Sequence, residues 1–352
     1  MTEVISAIQA KYDAQKLAFA PVSFQVARSL RNLGILDLAQ KNRKQGISVE
    51  DISNELKLSI YGVKVLLEFG ETLDLVYSID GNYFVSKTGH FINNDDLTKV
   101  NMDFIHDVCY QGLFSLEESI KENRPVGLEV FGKWNTIYEA LSQLPDKVKK
   151  SWFDFDHYYS DQAFPDVLPL VFERKPKKLF DVGGNTGKWS FQCVAYDPDV
   201  EVTILDLPGQ LNVALANVEE QNLQHRIKGF EINLLDKSNE FPKNPDAIWM
   251  SQFLDCFSEK EIVDILNMAK RSMNSETDLY ILETFWNRQR FEASHFAVQA
   301  TSLYFTSMAN GNSKMYHSED MYNCLDKAGL KVVQDVDDLG VGHTLLRAKV
   351  KD

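Results

Sequence analysis

The segment Lys178-Leu179-Phe180-Asp181-Val182-Gly183-Gly184-Asn185-Thr186-Gly187 carries a short apolar run into a cluster of glycines. Its pattern predicts a buried strand, a tight turn and the start of a helix. Further on, Val202-Thr203-Ile204-Leu205-Asp206-Leu207-Pro208 forms a second apolar run that ends in an acid, 23 residues past Gly183. Glycines let a ligand approach the backbone at a helix N-terminus, and an acid at this distance reaches ribose hydroxyls. The two segments therefore predict the first half of a nucleotide-binding α/β sheet.

Working outward from this turn, strand and helix patterns alternate from Lys177 to the C-terminus, which predicts a mainly parallel sheet. Strands are expected at about 178–182, 201–206, 227–232, 246–251 and 278–284, with a terminal antiparallel pair at about 331–337 and 343–349. Helices are expected at about 187–196, 209–221, 259–272 and 318–328. Ser258 and Glu261 form a capping-box pattern at the third of these, and Ser318 is expected to open the fourth. Ligands of open α/β sheets sit beyond the carboxyl ends of the strands. That directs attention to Gly183–Gly187, Asp206–Pro208, Asn233–Asp236, Ser251–Cys256 and Glu283–Trp286.

The first hundred residues differ in character. Helices are predicted at 4–20 and, with Pro21, at 22–33, ending at Gly34. Ser48 with Asp51 caps a helix over 49–56, and Ser59–Leu67 has helical spacing. Asp80-Gly81-Asn82 between Leu75–Ile79 and Tyr83–Ser86 is a hairpin signal. Two helices and a hairpin are the order of a winged helix, yet Glu50–Asp74 holds two lysines against six acids. Such a surface is repelled by phosphates, so a dimerisation module is expected rather than a DNA reader. From about 101 to 165, helical segments rich in Phe, Tyr and Trp are expected to supply core and the wall of a pocket for a flat ligand.

Composition narrows the options. Of 352 residues, 44% are hydrophobic and 25% charged, as in ordinary globular proteins. A net charge of −14 opposes partnership with nucleic acid or an anionic membrane. No 18-residue apolar run predicts a membrane span, and Met1–Val4 lacks the basic and apolar parts of a signal peptide. Cys109, Cys193, Cys256 and Cys324 match no metal-ligand spacing and fit a cytoplasmic chain with reduced thiols.

Asp181 two residues before the glycines and the position of this half behind a helical domain favour S-adenosylmethionine over NAD. The combination resembles the class I S-adenosylmethionine-dependent O-methyltransferases of the plant caffeic-acid and bacterial polyketide type. The resemblance spans nearly the whole chain and rests on Asp181-Val182-Gly183-Gly184, Asp206-Leu207-Pro208 and Phe257-Ser258-Glu259. It implies a winged-helix dimerisation domain at 1–100, a helical linker at 101–165 and, at 166–352, a Rossmann-like methyltransferase domain with a mainly parallel seven-stranded sheet. It also implies a homodimer acting on a small aromatic hydroxyl, free or borne on a carrier protein as a polyene or polyketide.

By the same resemblance, Asp181, Gly183 and Gly187 shape the cofactor turn, and Asp206 with Leu207 meets the ribose. Asn233 and Leu234 stand where the family holds adenine, and Ser251 stands where it has lysine. Asn185 replaces a glycine, and asparagine tolerates the left-handed region. The family's catalytic histidine position holds Asp255, the first supporting glutamate is Glu283, and the second falls on Met315. Phe153, His157, Asn310 and Met315 are expected in the acceptor pocket.

Three readings of the reacting centre follow. Asp255 is a base or substrate-binding acid, its pKa raised by burial and by Glu283. Alternatively another histidine enters the pocket, His157 before His106 or His295. In the third, the chain binds cofactor without base-assisted chemistry, as a partner subunit. A winged-helix ligand-sensing regulator and an NAD-dependent oxidoreductase are the competing classes, and neither reading includes a metal.

Overall fold

A computed structural model describes residues 5–351. The chain divides into two compact units, one ending at Asp103 and the other starting at Phe104. The segment expected to be a separate linker from 101 to 165 therefore packs with the sheet-bearing unit, and the expected 165/166 boundary falls inside a helix.

In the N-terminal unit, helices α1 (Ala7–Ala18), α2 (Ala20–Asn32), α3 (Ile35–Lys41), α4 (Val49–Leu56) and α5 (Ile60–Thr72) precede strands β1 (Val76–Ile79) and β2 (Asn82–Val85). Helices α6 (Lys87–Asn94) and α7 (Asp96–Phe104) follow. Ser6, Ser48 and Ser59 cap α1, α4 and α5 by accepting amide hydrogen bonds. Asp80 and Gly81 both adopt positive φ, as a two-residue hairpin turn requires. The hairpin thus starts one residue earlier on its second strand than expected. Helix α3 was not legible because its seven residues follow α2 across Leu33 and Gly34 alone, the latter at φ 80°. The start of the predicted 4–20 helix lies partly outside the described residues. Leu30, Ile35, Leu36, Ile52, Val63, Leu67 and Val76 form this unit's core.

The C-terminal unit contains helices α8 (Leu116–Glu122), α9 (Ile137–Ala140), α10 (Asp146–Asp161) and α11 (Phe164–Phe172). These are followed by strand β3 (Lys178–Val182), α12 (Lys188–Tyr196), β4 (Glu201–Asp206), α13 (Pro208–Glu220), β5 (Ile227–Glu231) and β6 (Ala247–Ser251). Helix α14 (Glu259–Ser272), β7 (Asp278–Glu283), α15 (Glu292–Tyr304), α16 (Ser318–Lys327), β8 (Leu330–Leu339) and β9 (His343–Val350) complete it. The sheet order is β5-β4-β3-β6-β7-β9-β8. Strands β3 to β7 pair in parallel, while β9 is antiparallel to both β7 and β8. The strand positions agree with expectation within two residues or so.

The sheet is apolar on both faces, as a covered parallel sheet must be. Phe180, Val182, Ile248 and Met250 face α14 and α16 residues such as Ile262 and Met321. Leu179, Ala247 and Trp249 face α11, α12 and α13 through Val167, Trp189 and Leu211. Trp189 stacks on Trp249 at 4.1 Å between ring centroids. A third cluster, the aromatic one, joins Phe104, Trp152, Tyr304, Phe305, Met308 and Met315. It depends on α15 and the π-helical turn Phe305–Ala309 that ends it, neither of which the sequence reading placed. The Ser258–Glu261 capping box is present. At α16 the expected cap was off by one residue: the His317 side chain accepts from Glu319 N, and Ser318 is already helical. Among the described residues no helix is long and apolar enough to cross a membrane.

Chain order runs outward from β3 to β5 and then returns to β6 on the other side of β3. The loops after β3 and β6 consequently diverge and leave a crevice between them.

Candidate active site

A cavity of about 490 Å³ fills this crevice, and every residue lining it comes from the C-terminal unit. Asp181, Gly183, Asp206, Leu207, Asn233, Leu234 and Ser251 line it, as expected of cofactor positions. Gly187 does not. It caps α12 at φ 84° and shapes the turn from behind. Gly183, at φ 70°, is the position where the turn admits no side chain: a Cβ would lie 2.3 Å from the Phe253 ring. Asn185 takes φ 50°, the left-handed conformation it was expected to tolerate.

Asp181 is buried and accepts from Ser190 Oγ at 2.6 Å, tying the turn to α12. Burial pushes its carboxyl up to about 7. Asp206 accepts from Asn185 N at 2.9 Å and from Leu207 N at 2.7 Å, so it holds the glycine turn. Burial lifts it to about 6 against those two amide bonds. Asn233 Oδ1 accepts from Leu235 N at 3.0 Å, which fixes the loop after β5.

The other half of the cavity is walled by Phe104, Trp152, Phe155, Tyr304, Phe305 and Met315. Phe104 stacks on Phe155 at 3.9 Å, and Trp152 Nε1 donates to Tyr304 Oη at 2.7 Å. His157, Asn310 and Met315 line the cavity as expected, but Phe153 does not. Phe153 packs edge-on against Trp152 and stacks on His157, outside the lining. On α10, the side-chain spacing of helical neighbours turns Phe153 away while Trp152, Phe155 and Asp156 face inward. Asn310 is occupied structurally: its amide donates to Cys256 O and its Oδ1 accepts from Ser313. His106 and His295 are absent from the lining; His106 bonds Asp107 and His295 packs on Trp286.

Asp255 lines the cavity and is 6% exposed. Burial pushes its carboxyl up to about 7, and the Asp156 carboxylate adds to the rise. Its Oδ1 accepts from the Cys256 thiol at 3.4 Å, and the Tyr138 side chain lies on the other side of Cys256. Cys256 thus stands between Tyr138 and Asp255. Glu283 is set back from the cavity. Its Oε1 accepts from Phe253 N at 3.1 Å and Leu254 N at 2.9 Å, fixing the loop that carries Asp255. Burial, and Asp255 beside it, hold its carboxyl well above the usual range.

Gln252, in the Ser251–Cys256 segment, also lines the cavity, as do Asp156, Ser160, Asp161 and Lys188, which were not expected there. No local motif marks them, because their roles come from α10 lying over the glycine turn. Gln252 adopts φ 44°, and both its Oε1 and Ser251 Oγ are buried without a protein hydrogen-bond partner. Unpartnered buried polar atoms facing a cavity call for a polar ligand. Together with the Gly183 cradle and the Asp206 carboxylate, they fit an adenosyl cofactor.

Fold and cavity define the class: a Rossmann-like methyltransferase domain behind a winged-helix unit. The comparisons with known proteins narrow it. Residues 129–331 match the O-methyltransferase domain model and residues 11–83 the Dimerisation2-like domain model. The chain belongs to the O-methyltransferase domain family, whose methyl donor is S-adenosylmethionine. L-tyrosine C(3)-methyltransferase of Streptomyces lavendulae is 23% identical over 328 residues, covering 91% of this chain and 88% of that protein. The apo structure of the S-adenosylmethionine-dependent methyltransferase SibL superposes with a TM-score of 0.73 at 20% identity, covering 96% of this chain and 98% of that one. Human N-acetylserotonin methyltransferase, solved with S-adenosylmethionine, gives a TM-score of 0.67 at 16% identity, with both chains fully covered.

Proposed function

We propose that the chain methylates a small aromatic hydroxyl, working as a homodimer. One observation carries this reading: a single cavity joins the adenosyl-binding strand ends to a slot of aromatic side chains, with the Asp255 carboxyl facing it. S-adenosylmethionine, when bound, supplies a methyl group on a positively charged sulfur, open to in-line attack. Asp206, the glycine turn, Asn233 and Ser251 would hold it. Phe104, Phe155 and Tyr304 hold the acceptor ring flat and keep water out. Asp255 Oδ takes the hydroxyl proton, oriented by Cys256 and by the loop that Glu283 pins. Orientation of this kind carries much of the rate, and proton removal adds to it.

Neither a ligand-sensing regulator nor an oxidoreductase needs a carboxyl facing an aromatic slot. The reading extends to a ring borne on a carrier protein, and a competition between free and carrier-bound rings separates those cases. Four free cysteines suit a reducing compartment, and we place the reaction in the cytoplasm. The homodimer is supported by the dimerisation-type domain and by α1, which buries none of its residues within the chain.

Methylation at a ring carbon is a second reading. A carboxyl rather than an imidazole stands at the reacting position, and the Streptomyces lavendulae relative is by name a carbon methyltransferase. Ionising a phenol activates its neighbouring ring carbon as well as its oxygen, so Asp255 would serve either outcome. Calorimetry with S-adenosylhomocysteine, followed by methyl transfer to a phenol panel with NMR of the products, tests both. No binding at millimolar concentration would overturn the cofactor site, and carbon-methylated products would replace the oxygen reading.

A further inference from the structure

The cofactor positions account for adenosine, but the amino-acid part of the molecule needs partners too. It carries an ammonium and a carboxylate. With the ribose at Asp206 and the reacting methyl toward Asp255, that part must lie along the glycine turn. The last turns of α10 face the turn there. They bring Asp156, His157, Ser160 and Asp161 to the cavity, opposite Gly183–Thr186 and Lys188.

The two acids of this strip are not equivalent. Asp161 is engaged, with Lys188 Nζ at 2.6 Å and His157 Nδ1 at 3.6 Å. Asp156 has a single side-chain hydrogen bond among the described residues, a long one of 3.4 Å from Asn185 Nδ2 of the turn. Its carboxylate has acceptor capacity to spare and is half-buried, and burial raises its pKa from the ordinary value. A cation placed beside it would recover the lost solvation.

Resting on the cofactor reading above, we propose that Asp156 is the carboxylate that receives the ammonium of the cofactor's amino-acid portion. Asn185 holds it from the turn side. Lys188, paired to Asp161, leaves a cationic edge for the cofactor's carboxylate. The strip is then a zwitterion receptor built from one helix and one turn, absent from the strand-end pattern that recognises adenosine.

The test uses chemically trimmed ligands and needs no acceptor. Affinities of the full-length wild-type protein and of Asp156→Asn are measured by calorimetry for three compounds. These are S-adenosylhomocysteine, its analogue with the amino group replaced by hydrogen, and 5′-methylthioadenosine, which lacks the amino-acid part. Wild type is expected to bind S-adenosylhomocysteine about ten- to a hundredfold more tightly than the deaminated analogue, as for a charge-assisted hydrogen bond. In Asp156→Asn that preference should collapse, with the affinity for 5′-methylthioadenosine unchanged, which also shows that the variant is folded. Survival of the preference in Asp156→Asn would overturn the assignment. So would an equal loss for all three ligands, or no loss for any of them, as expected if Asp156 served the acceptor instead. Failure of wild type to bind either S-adenosylhomocysteine or 5′-methylthioadenosine would overturn the cofactor reading, and this assignment with it.

Discussion

A solvated aspartate has a pKa about six units below that of a phenol, and on its own is a weak base for one. Asp255 differs because burial raises its carboxyl to about 7, with the Asp156 carboxylate adding to the rise. In the proposed reaction the ionised form is the base, so the raised pKa sets where activity is expected to be lost. Turnover should fall about tenfold per unit as pH drops below about 7, which a pH–rate profile reads directly. Asp255→Ala should lower turnover by about 10²–10⁴-fold at pH 8, and unchanged turnover would remove it from the mechanism. Asp206 makes a separate prediction. Its folded pKa is about 6, and ribose hydroxyls donate to the ionised carboxylate. Affinity for S-adenosylhomocysteine should be flat above pH 7 and weaken as pH falls through about 6, as calorimetry across pH would show. A flat profile down to pH 5 would contradict a ribose contact.

Two elements are tuned to present these groups. The β3–α12 turn holds its shape through Gly183, whose positive φ and contact with Phe253 exclude a side chain, and through Asp181 and Asp206 bonded to α12 and to the turn. The loop after β6 is held from the neighbouring strand end: Glu283, at the end of β7, accepts two of its amides. Burial and the neighbouring Asp255 hold the Glu283 carboxyl well above the usual range, and its role toward these amides is that of an acceptor, which a side-chain amide oxygen also fills. Glu283→Gln should then cost no more than about 1 kcal/mol. Glu283→Ala should cost about 2–4 kcal/mol, because two buried amides lose their partner at about 1–3 kcal/mol each. Denaturant unfolding of both variants separates the cases, and an equally large loss in both would mean that the negative charge itself is required.

At the scale of the molecule, α1 exposes Ile8, Tyr12 and Leu17 and buries nothing within its own chain. An isolated helix of 12 residues is marginal in water, so its order calls for a partner surface. The mass in solution should be twice the 40.2 kDa of one chain. Combining Ile8→Asp with Leu17→Asp should shift the population toward the single-chain mass. Light scattering after size-exclusion chromatography measures both, and a single-chain mass for the unaltered protein at micromolar concentration would refute the homodimer.

The sequence by itself determined what repeats locally. Apolar runs bounded by glycines marked the parallel strands, Ser258 with Glu261 marked the start of α14, and Asp80-Gly81 marked the hairpin, because each signal is complete within a few residues. The residues proposed to hold the cofactor reach the cavity for the same reason, as they follow strand ends in chain order. Only the tertiary structure decided the rest of the site. Phe153 and Phe155 are alike in sequence, and the direction α10 presents each one separates wall from packing. Asp156, Tyr138 and Cys256 acquire roles only through α9 and α10 meeting the loops after β3 and β6. Glu283 could be aligned with a supporting acid, but its set-back position, bonded to the amides of residues 253 and 254, required the fold. Strand patterns are written by short-range sterics and burial, whereas a reacting centre is written by side chains far apart in the chain whose proximity no local pattern encodes.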